Sequence, residues 1–354
     1  MLSEHLIQIV VWLSMTLLVL MLLLLLRIAL LRINLIAHTS RERIFLEVWQ
    51  PLFASAIAGD TDNLPQLEED EKIYFMKLWN HLHQSLRGPA KRRLNIIALR
   101  CGILHDVYSL LHRKGLRSQL LALTMLGHLE DRSAWTEILR LAKHRDTLLS
   151  FVAARALFQI HPEAALNDLK QLMLEREDWP PAQLALLLQE ANRESIFTVL
   201  ANTANDLAGS TNPTELGRLS RLLHLLEVAP YQLAIPAVRA TLAANQKDEI
   251  IAQCLKFLRE PSDLPAVKKH IGHPNWVVRL QAAKALGRIG SPSDQHQLAV
   301  LLRDPVWWVR YRTAQALVTL TRGDSQTLSE LRAHLADRYA VDMLKMAMSE
   351  KGVQ

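Results

Sequence analysis

The chain has 354 residues, with 41 Lys and Arg against 35 Asp and Glu; its formal charge of +6 is modest for this size. Half of the residues are apolar, the excess is Leu and Ala, and glycines number only 12, a balance that favours helix throughout. Two widely spaced cysteines, Cys101 and Cys254, both inside predicted helices, argue against a disulfide framework and for a reducing compartment.

The chain opens with five residues and then Leu6 to Leu26, a stretch without a charge. At about 1.5 Å per residue it is long enough for a bilayer core and is expected to be a transmembrane helix. A cleaved signal peptide fits less well, because MLSEH carries no Lys or Arg and no small-x-small site follows. Arg27, Arg32, Arg41 and Arg43 follow the apolar run, whereas only Glu4 and His5 precede it. Basic flanks stay in the cytoplasm, so residues 1–5 are expected outside and the rest of the chain inside. Residues 27–71 read as a juxtamembrane amphipathic helix, broken at Trp49-Gln50-Pro51, and an acidic link from Gly59 to Glu71. That link holds Asp60, Asp62, Glu68, Glu69, Asp70 and Glu71, and solvation plus helix capping accounts for it.

From residue 72 to 349 helical hairpins are expected, six to eight of them. Residues 87–117 are basic: Arg87, Lys91, Arg92, Arg93, Arg100, Arg113, Lys114 and Arg117 face the single acid Asp106. Such a patch suits anionic headgroups or an acidic partner, although wet helix faces also explain it. Beyond it a 31-residue beat emerges. HPNWVVRLQAAKALGRIG (273–290) is restated as DPVWWVRYRTAQALVTLT (304–321), with Pro274 matched to Pro305 at 305 − 274 = 31. A fixed period of this size signifies stacked supersecondary units. Asp304-Pro305 is expected to start a helix, and Gly287 with Gly290 to end the one before. Ser325 to Ser349 reads as one terminal helix capping the stack.

This repeat resembles the HEAT repeat in its two-helix bacterial form. The resemblance rests on Pro274, Val278, Arg279, Ala283, Ala285 and Leu286, and on Asp304, Pro305, Val309, Arg310, Ala314, Ala316 and Leu317. It implies an all-α fold, here an α-solenoid of HEAT-like hairpins preceded by a single transmembrane helix, with Asp and Arg pairing between repeats. Because His273 replaces the first Asp, that ladder is expected to be incomplete. Four further segments resemble bacterial membrane-anchored HEAT proteins: Trp49-Gln50-Pro51-Leu52, Leu78-Trp79-Asn80, Leu126-Gly127-His128-Leu129 and Glu177-Asp178-Trp179-Pro180-Pro181. This second resemblance implies a place at the bacterial inner membrane, beside envelope glycosyltransferase or polysaccharide machinery.

No catalytic or metal signature stands out. His81 and His83 are two apart and point to different helix faces. Cys101 with His105 lacks further ligands, and phosphate-binding loops, H-E-x-x-H and G-x-S-x-G are missing. No cofactor and no enzymatic activity is expected. Surfaces remain. Trp308 and Arg312, with Lys284 and Arg288 one repeat earlier, form a basic face carrying an aromatic, the residue types favoured at binding hot spots. Arg279 and Arg310 are expected to be structural; the alternative for the tryptophans is that Trp307 is core and Trp308 lies between repeats. The leading reading is a membrane-anchored cytoplasmic scaffold that recruits or regulates a protein partner, with residues 6–26 in the lipid and no nucleic acid. The alternatives are a nucleic-acid-binding HEAT-like protein and a HEAT-type lyase.

Overall fold

The computed structural model describes residues 2–59, 64–244 and 247–352; side chains at 2–11, 13, 14, 31 and 33–40 also lie outside the description. Among the described residues there is no strand. Two compact units divide the chain, residues 1–131 and 132–354. The segment 72–349, expected as one solenoid, therefore contributes to both.

The first unit comprises α1 (Leu2–Ala58), α2 (Lys72–Ser85), α3 (Pro89–Arg100), α4 (Leu104–His112) and α5 (Leu116–Leu129). The break expected at Trp49-Gln50-Pro51 does not occur: α1 continues through Pro51 to Ala58. The lost N–H and the ring clash of proline disfavour this. Tertiary packing overrides them, because Phe45, Trp49, Phe53 and Ala56 fall on one face and are at most 2% exposed. Their rings meet α2, Trp49 edge-on to Phe75 at 5.3 Å and Phe53 to Phe75 at 5.1 Å. Trp79 is fully buried and donates from Nε1 to the Leu94 carbonyl at 2.8 Å, joining α2 to α3. Gly102, at φ 66°, allows the 82° bend between α3 and α4.

Upstream of that core, α1 is bare: Leu17 to Leu26, Ile28 and Leu30 are each about half exposed or more. Within the described side chains the apolar run is Met15–Leu30, and no single helix is long and apolar enough to cross a membrane. The expected span Leu6–Leu26 falls partly on residues 6–11, 13 and 14, outside the described side chains. In the acidic link, Asp60 and Asp62 lie outside the described residues, while Glu69 pairs with Lys72 at 2.5 Å and Asp70 with Arg41 at 3.6 Å.

The second unit comprises α6 (Trp135–Ala142), α7 (Thr147–Ile160), α8 (Pro162–Glu175), α9 (Pro181–Ala191), α10 (Glu194–Asp206), α11 (Pro213–Leu226), α12 (Tyr231–Ala244), α13 (Asp248–Phe257), α14 (Leu264–Lys269), α15 (Trp276–Ile289), α16 (Gln295–Leu301), α17 (Trp307–Leu320), α18 (Ser325–Ala333) and α19 (Arg338–Glu350). Each odd-numbered helix from α7 to α19 packs on the next odd-numbered one, and α8, α10 and α12 make a second row. One hairpin cannot bury its apolar face alone; this stacking does so. Among the described residues, eighteen α-helices run from α2 to α19, more than six to eight hairpins require.

Three local expectations need correction. Asp304-Pro305 does not occupy the first helical turn, since α17 starts at Trp307. Instead Asp304 accepts from the Val306 N–H at 2.8 Å and braces the entry loop. Gly287 is not a terminator: it lies inside α15, and a Cβ there would meet the Ala316 Cβ at 2.6 Å and its carbonyl oxygen at 2.9 Å. That glycine exists for the approach of two backbones. Finally, Ser325 to Ser349 is two helices, α18 and α19. Val309, Ala316 and Leu317 are buried, and so are Ala340, Ala347 and Met348, each 31 later; α19 is a third copy of the inner helix.

Buried ion pairs tie the copies together. Arg279 donates through Nε and Nη2 to Asp304 Oδ2 and Oδ1 at 2.6 and 3.0 Å, and through Nη1 to the His273 carbonyl at 2.8 Å. Arg310 donates to the Asp304 carbonyl at 2.8 Å. At the position of the missing Asp, His273 lies 3.7 Å from Asp248. Asp263 and Asp294, also 31 apart, are buried and pair with Arg239 and Lys268.

Removing Asp304 strands a buried guanidinium, so Asp304→Ala is expected to lower the unfolding free energy by about 3 kcal/mol in urea titration. Gly287→Ala is expected to cost about 2 kcal/mol by forcing α15 off α17. Gly217→Ala in α11, where a Cβ meets nothing within 4 Å, should instead gain up to about 1 kcal/mol. Equal effects of the two alanines would refute the close-contact role. His83 is 3% exposed and stacks on His128 at 4.0 Å; burial, then Lys91, pushes it from 6.5 to about 4. The fold thus favours neutral His83, a contribution present above about pH 6.5 and lost as pH falls toward 4, on the order of 2 kcal/mol. Acid titration of Trp79 fluorescence, with its ring 4.8 Å from His83, should show the loss, and His83→Asn should flatten it.

Candidate partner-binding surface

The inner helices α13, α15, α17 and α19 pack side by side. Each buries its small and branched residues toward neighbours and the outer row, so one stripe of each stays wet. The stripe follows the repeat: 277, 281, 284 and 288 on α15; 308, 312, 315 and 319 on α17; 339, 343, 346 and 350 on α19. Lys284, Arg288 and Trp308 are exposed on it and Arg312 is half-buried, so the structure brings together the four residues named from sequence. Lys256 of α13 joins them. Partial burial, then Arg312, Arg288 and Lys256, push the Lys284 ammonium below its ordinary range. Four cations therefore crowd one another.

Arg288 donates to the Leu255 carbonyl at 3.1 Å, which fixes its head over α13, and burial together with Arg259 lowers its pKa. Arg312 donates to Gln315 Oε1 at 2.8 Å and lies 5.4 Å over the Tyr311 ring. Neither Trp307 nor Trp308 is core: they are 39% and 52% exposed. Trp307 stacks on Tyr311 at 5.1 Å and meets Trp308 edge-on at 4.7 Å. Trp276, one repeat before Trp307, is 41% exposed. Arg279 and Arg310 serve the entry loops, as their bonds to the 273–274 and 304–305 backbone show.

Lys256 and Glu350 escaped sequence reading. Glu350 ends α19 and accepts from Tyr311 Oη at 3.0 Å and from Gln315 Nε2 at 2.9 Å. The 31-residue spacing would have found it, since 350 − 319 = 31 puts it in the column of Arg288 and Thr319.

The remaining sequence candidates resolve differently. Arg27, Arg32, Arg41 and Arg43 are all exposed on α1, with Arg43 3.0 Å from Glu47. In the basic stretch, Asp106 pairs with Lys72 of α2 at 3.1 Å, and Arg93 donates to the Ile57 carbonyl at 2.6 Å. Burial pushes the Cys101 thiol up to about 11 and the Cys254 thiol up to about 12, which keeps both protonated and unreactive. Among the described residues no three His, Cys, Asp or Glu converge on a metal position. A cavity of about 400 Å³ beside α12 is lined by Leu242, Ala243, Leu258 and Arg239. The Arg239 guanidinium is held by Asp263 and Glu260 at 2.7 and 2.5 Å. The tryptophans of the second resemblance, Trp49, Trp79 and Trp179, are at most 2% exposed. They carry packing rather than a surface.

Against known proteins, a model of HEAT repeats matches residues 235–318 and again residues 264–347. No curated protein matches the chain. One solved structure, the crystal structure of an engineered protein from the Northeast Structural Genomics Consortium, matches over 70% of this chain and 95% of its own, at 17% identity. Its TM-score of 0.22 is too low to bear on the architecture. The ladder of Arg279 on Asp304 and the 31-residue beat lie inside the matched segment, and residues 235–347 of this chain carry HEAT repeats.

Proposed function

We propose that this chain is a membrane-anchored adaptor, without catalytic activity of its own, that holds a protein partner at the cytoplasmic face of a bacterial inner membrane. HEAT repeats in general serve as protein-interaction scaffolds. The observation that carries the reading is the crowded cationic strip of Lys256, Lys284, Arg288 and Arg312 beside exposed Trp307 and Trp308. Trp and Arg side chains of this kind are the usual anchors of protein interfaces. The bare apolar stretch of α1 supports the anchor, with Leu6–Leu26 in the bilayer, residues 1–5 outside and Arg27, Arg32, Arg41 and Arg43 on the cytoplasmic side. From Leu30 to Phe45, the first buried ring, α1 runs without a break for about 22 Å. The helix thus becomes a spacer between lipid and the first folded core. Tethering raises the local concentration of a partner, so modest surface affinity suffices. A membrane glycosyltransferase is the first candidate, on the resemblance of four segments to membrane-anchored HEAT proteins.

The full-length protein is expected in the membrane fraction after alkaline carbonate extraction, whereas a chain lacking residues 2–30 should be released. Protease added to the outer face should spare the folded units. Digestion of those units from that side, or release of the intact chain by carbonate, refutes the anchor. A chemically cross-linked partner recovered by the intact chain should be lost with Trp308→Ala, Arg312→Glu; recovery unchanged by that pair refutes the surface.

A further inference from the structure

Resting on the adaptor reading, we infer that the face of α13, α15, α17 and α19 recognises an acidic, extended segment of a protein partner, with Glu350 holding the place of one partner carboxylate. The charge balance identifies the chemistry. Elsewhere in the repeats, three cations have their own acids: Arg239 has Asp263 and Glu260, Lys268 has Asp294, and Arg279 has Asp304. On the strip, among the described residues, only Lys256 of the four has a carboxylate within 4 Å, Glu227 at 3.7 Å. Lys284, Arg288 and Arg312 are left facing one another; partial burial, and then these neighbouring cations, lower the proton affinity of Lys284. An anion laid over them relieves that repulsion.

The strip already displays how it holds a carboxylate. Glu350 Oε2 accepts from Gln315 Nε2 at 2.9 Å, and Oε1 from Tyr311 Oη at 3.0 Å. Gln315 is itself the acceptor for Arg312 at 2.8 Å, and its amide also donates to Tyr311 Oη at 2.8 Å. The carboxylate thus sits one amide away from an arginine. Glu350 is exposed and is the last residue of α19, where helices fray readily, so displacing it disturbs little packing. A partner carboxylate can take the Tyr311 and Gln315 donors and gain Arg312 as well.

Spacing argues for an extended segment. Packed helices lie about 8–10 Å apart, and one three-residue turn of an extended polyproline-II segment, which returns side chains to the same face, rises about 9 Å. Acidic residues at every third position of a segment crossing the helices would therefore meet Lys256, Lys284 and Arg312 in turn. Trp307 and Trp308, on the same helix as Arg312, offer stacking surface to an apolar residue between the acids.

The test uses the full-length chain in mild detergent and fluorescence anisotropy of three labelled probes. These are a short peptide with Glu at every third position and one Trp, the same peptide with Lys for Glu, and a single-stranded oligonucleotide. Salt-sensitive binding of the Glu peptide is expected, weakened about tenfold or more by Lys284→Glu, Arg312→Glu and strengthened about threefold by Glu350→Gln. Lys284→Gln, with unchanged helical circular dichroism, should lie between. Equal binding of the Lys peptide, tighter binding of the oligonucleotide, or indifference to Glu350→Gln overturns the inference. If the Glu peptide fails while the cross-linked partner is still lost with Trp308→Ala, Arg312→Glu, the acidic-segment inference falls and the adaptor reading stands.

Discussion

Two helices can bring their backbones together only where neither carries a side chain in the way. At Gly287 a single added carbon would fall 2.6 Å from the Ala316 Cβ, and this contact sets the distance between α15 and α17. The alanines around it, Ala282, Ala283, Ala285, Ala314 and Ala316, are buried for the same reason. Close, regular packing then keeps the wet stripes of successive helices in register. The face proposed for a partner is a consequence of that register, because side chains 31 residues apart in sequence are aligned across one surface.

Electrostatics divides the second unit into two regimes. Inside the repeats, Arg239, Lys268 and Arg279 are each answered by a carboxylate, and Arg279 is held from both sides by Asp304 and an entry-loop carbonyl. Breaking such a group is costly because desolvation remains when the partner is gone. On the inner stripe the rule is suspended. Lys284, Arg288 and Arg312 stand close together, and exposed aromatic rings flank them. Unpaired charge beside exposed tryptophan is the feature on which we propose this face as an interaction surface.

The first unit uses a different device. α1 is one helix of 57 residues whose last third is a wall of a folded core and whose apolar stretch contacts no core. Pro51 lies within the packed part, where Trp49 and Phe53 on either side hold the helix together. Continuity through the proline lets a single element carry both the packed wall and the bare apolar stretch.

Periodicity was readable directly. The match of 273–290 to 304–321, the helical class and the grouping of Lys284, Arg288, Trp308 and Arg312 all follow from side-chain order along a helix and a constant offset, whereas a pairing of Asp304 with an arginine was only what the resemblance implied. What sequence order misjudged were positions whose role depends on a neighbour. Pro51 looked like a break because local propensity knows nothing of the aromatic cluster. Gly287 looked like a cap because a glycine near a helix end has two uses, and only the presence of Ala316 distinguishes them. The alternative that kept Trp307 in the core fails, since its ring is 39% exposed, and the last helix hid a repeat whose small residues were its signature. Sequence by itself determined the helices, their beat and the residues on each face, since these are set within one or two turns of chain. Tertiary structure alone decided which small residues are contacts, which charges are answered and where Glu350 lies, because each depends on atoms brought together from helices far apart along the chain.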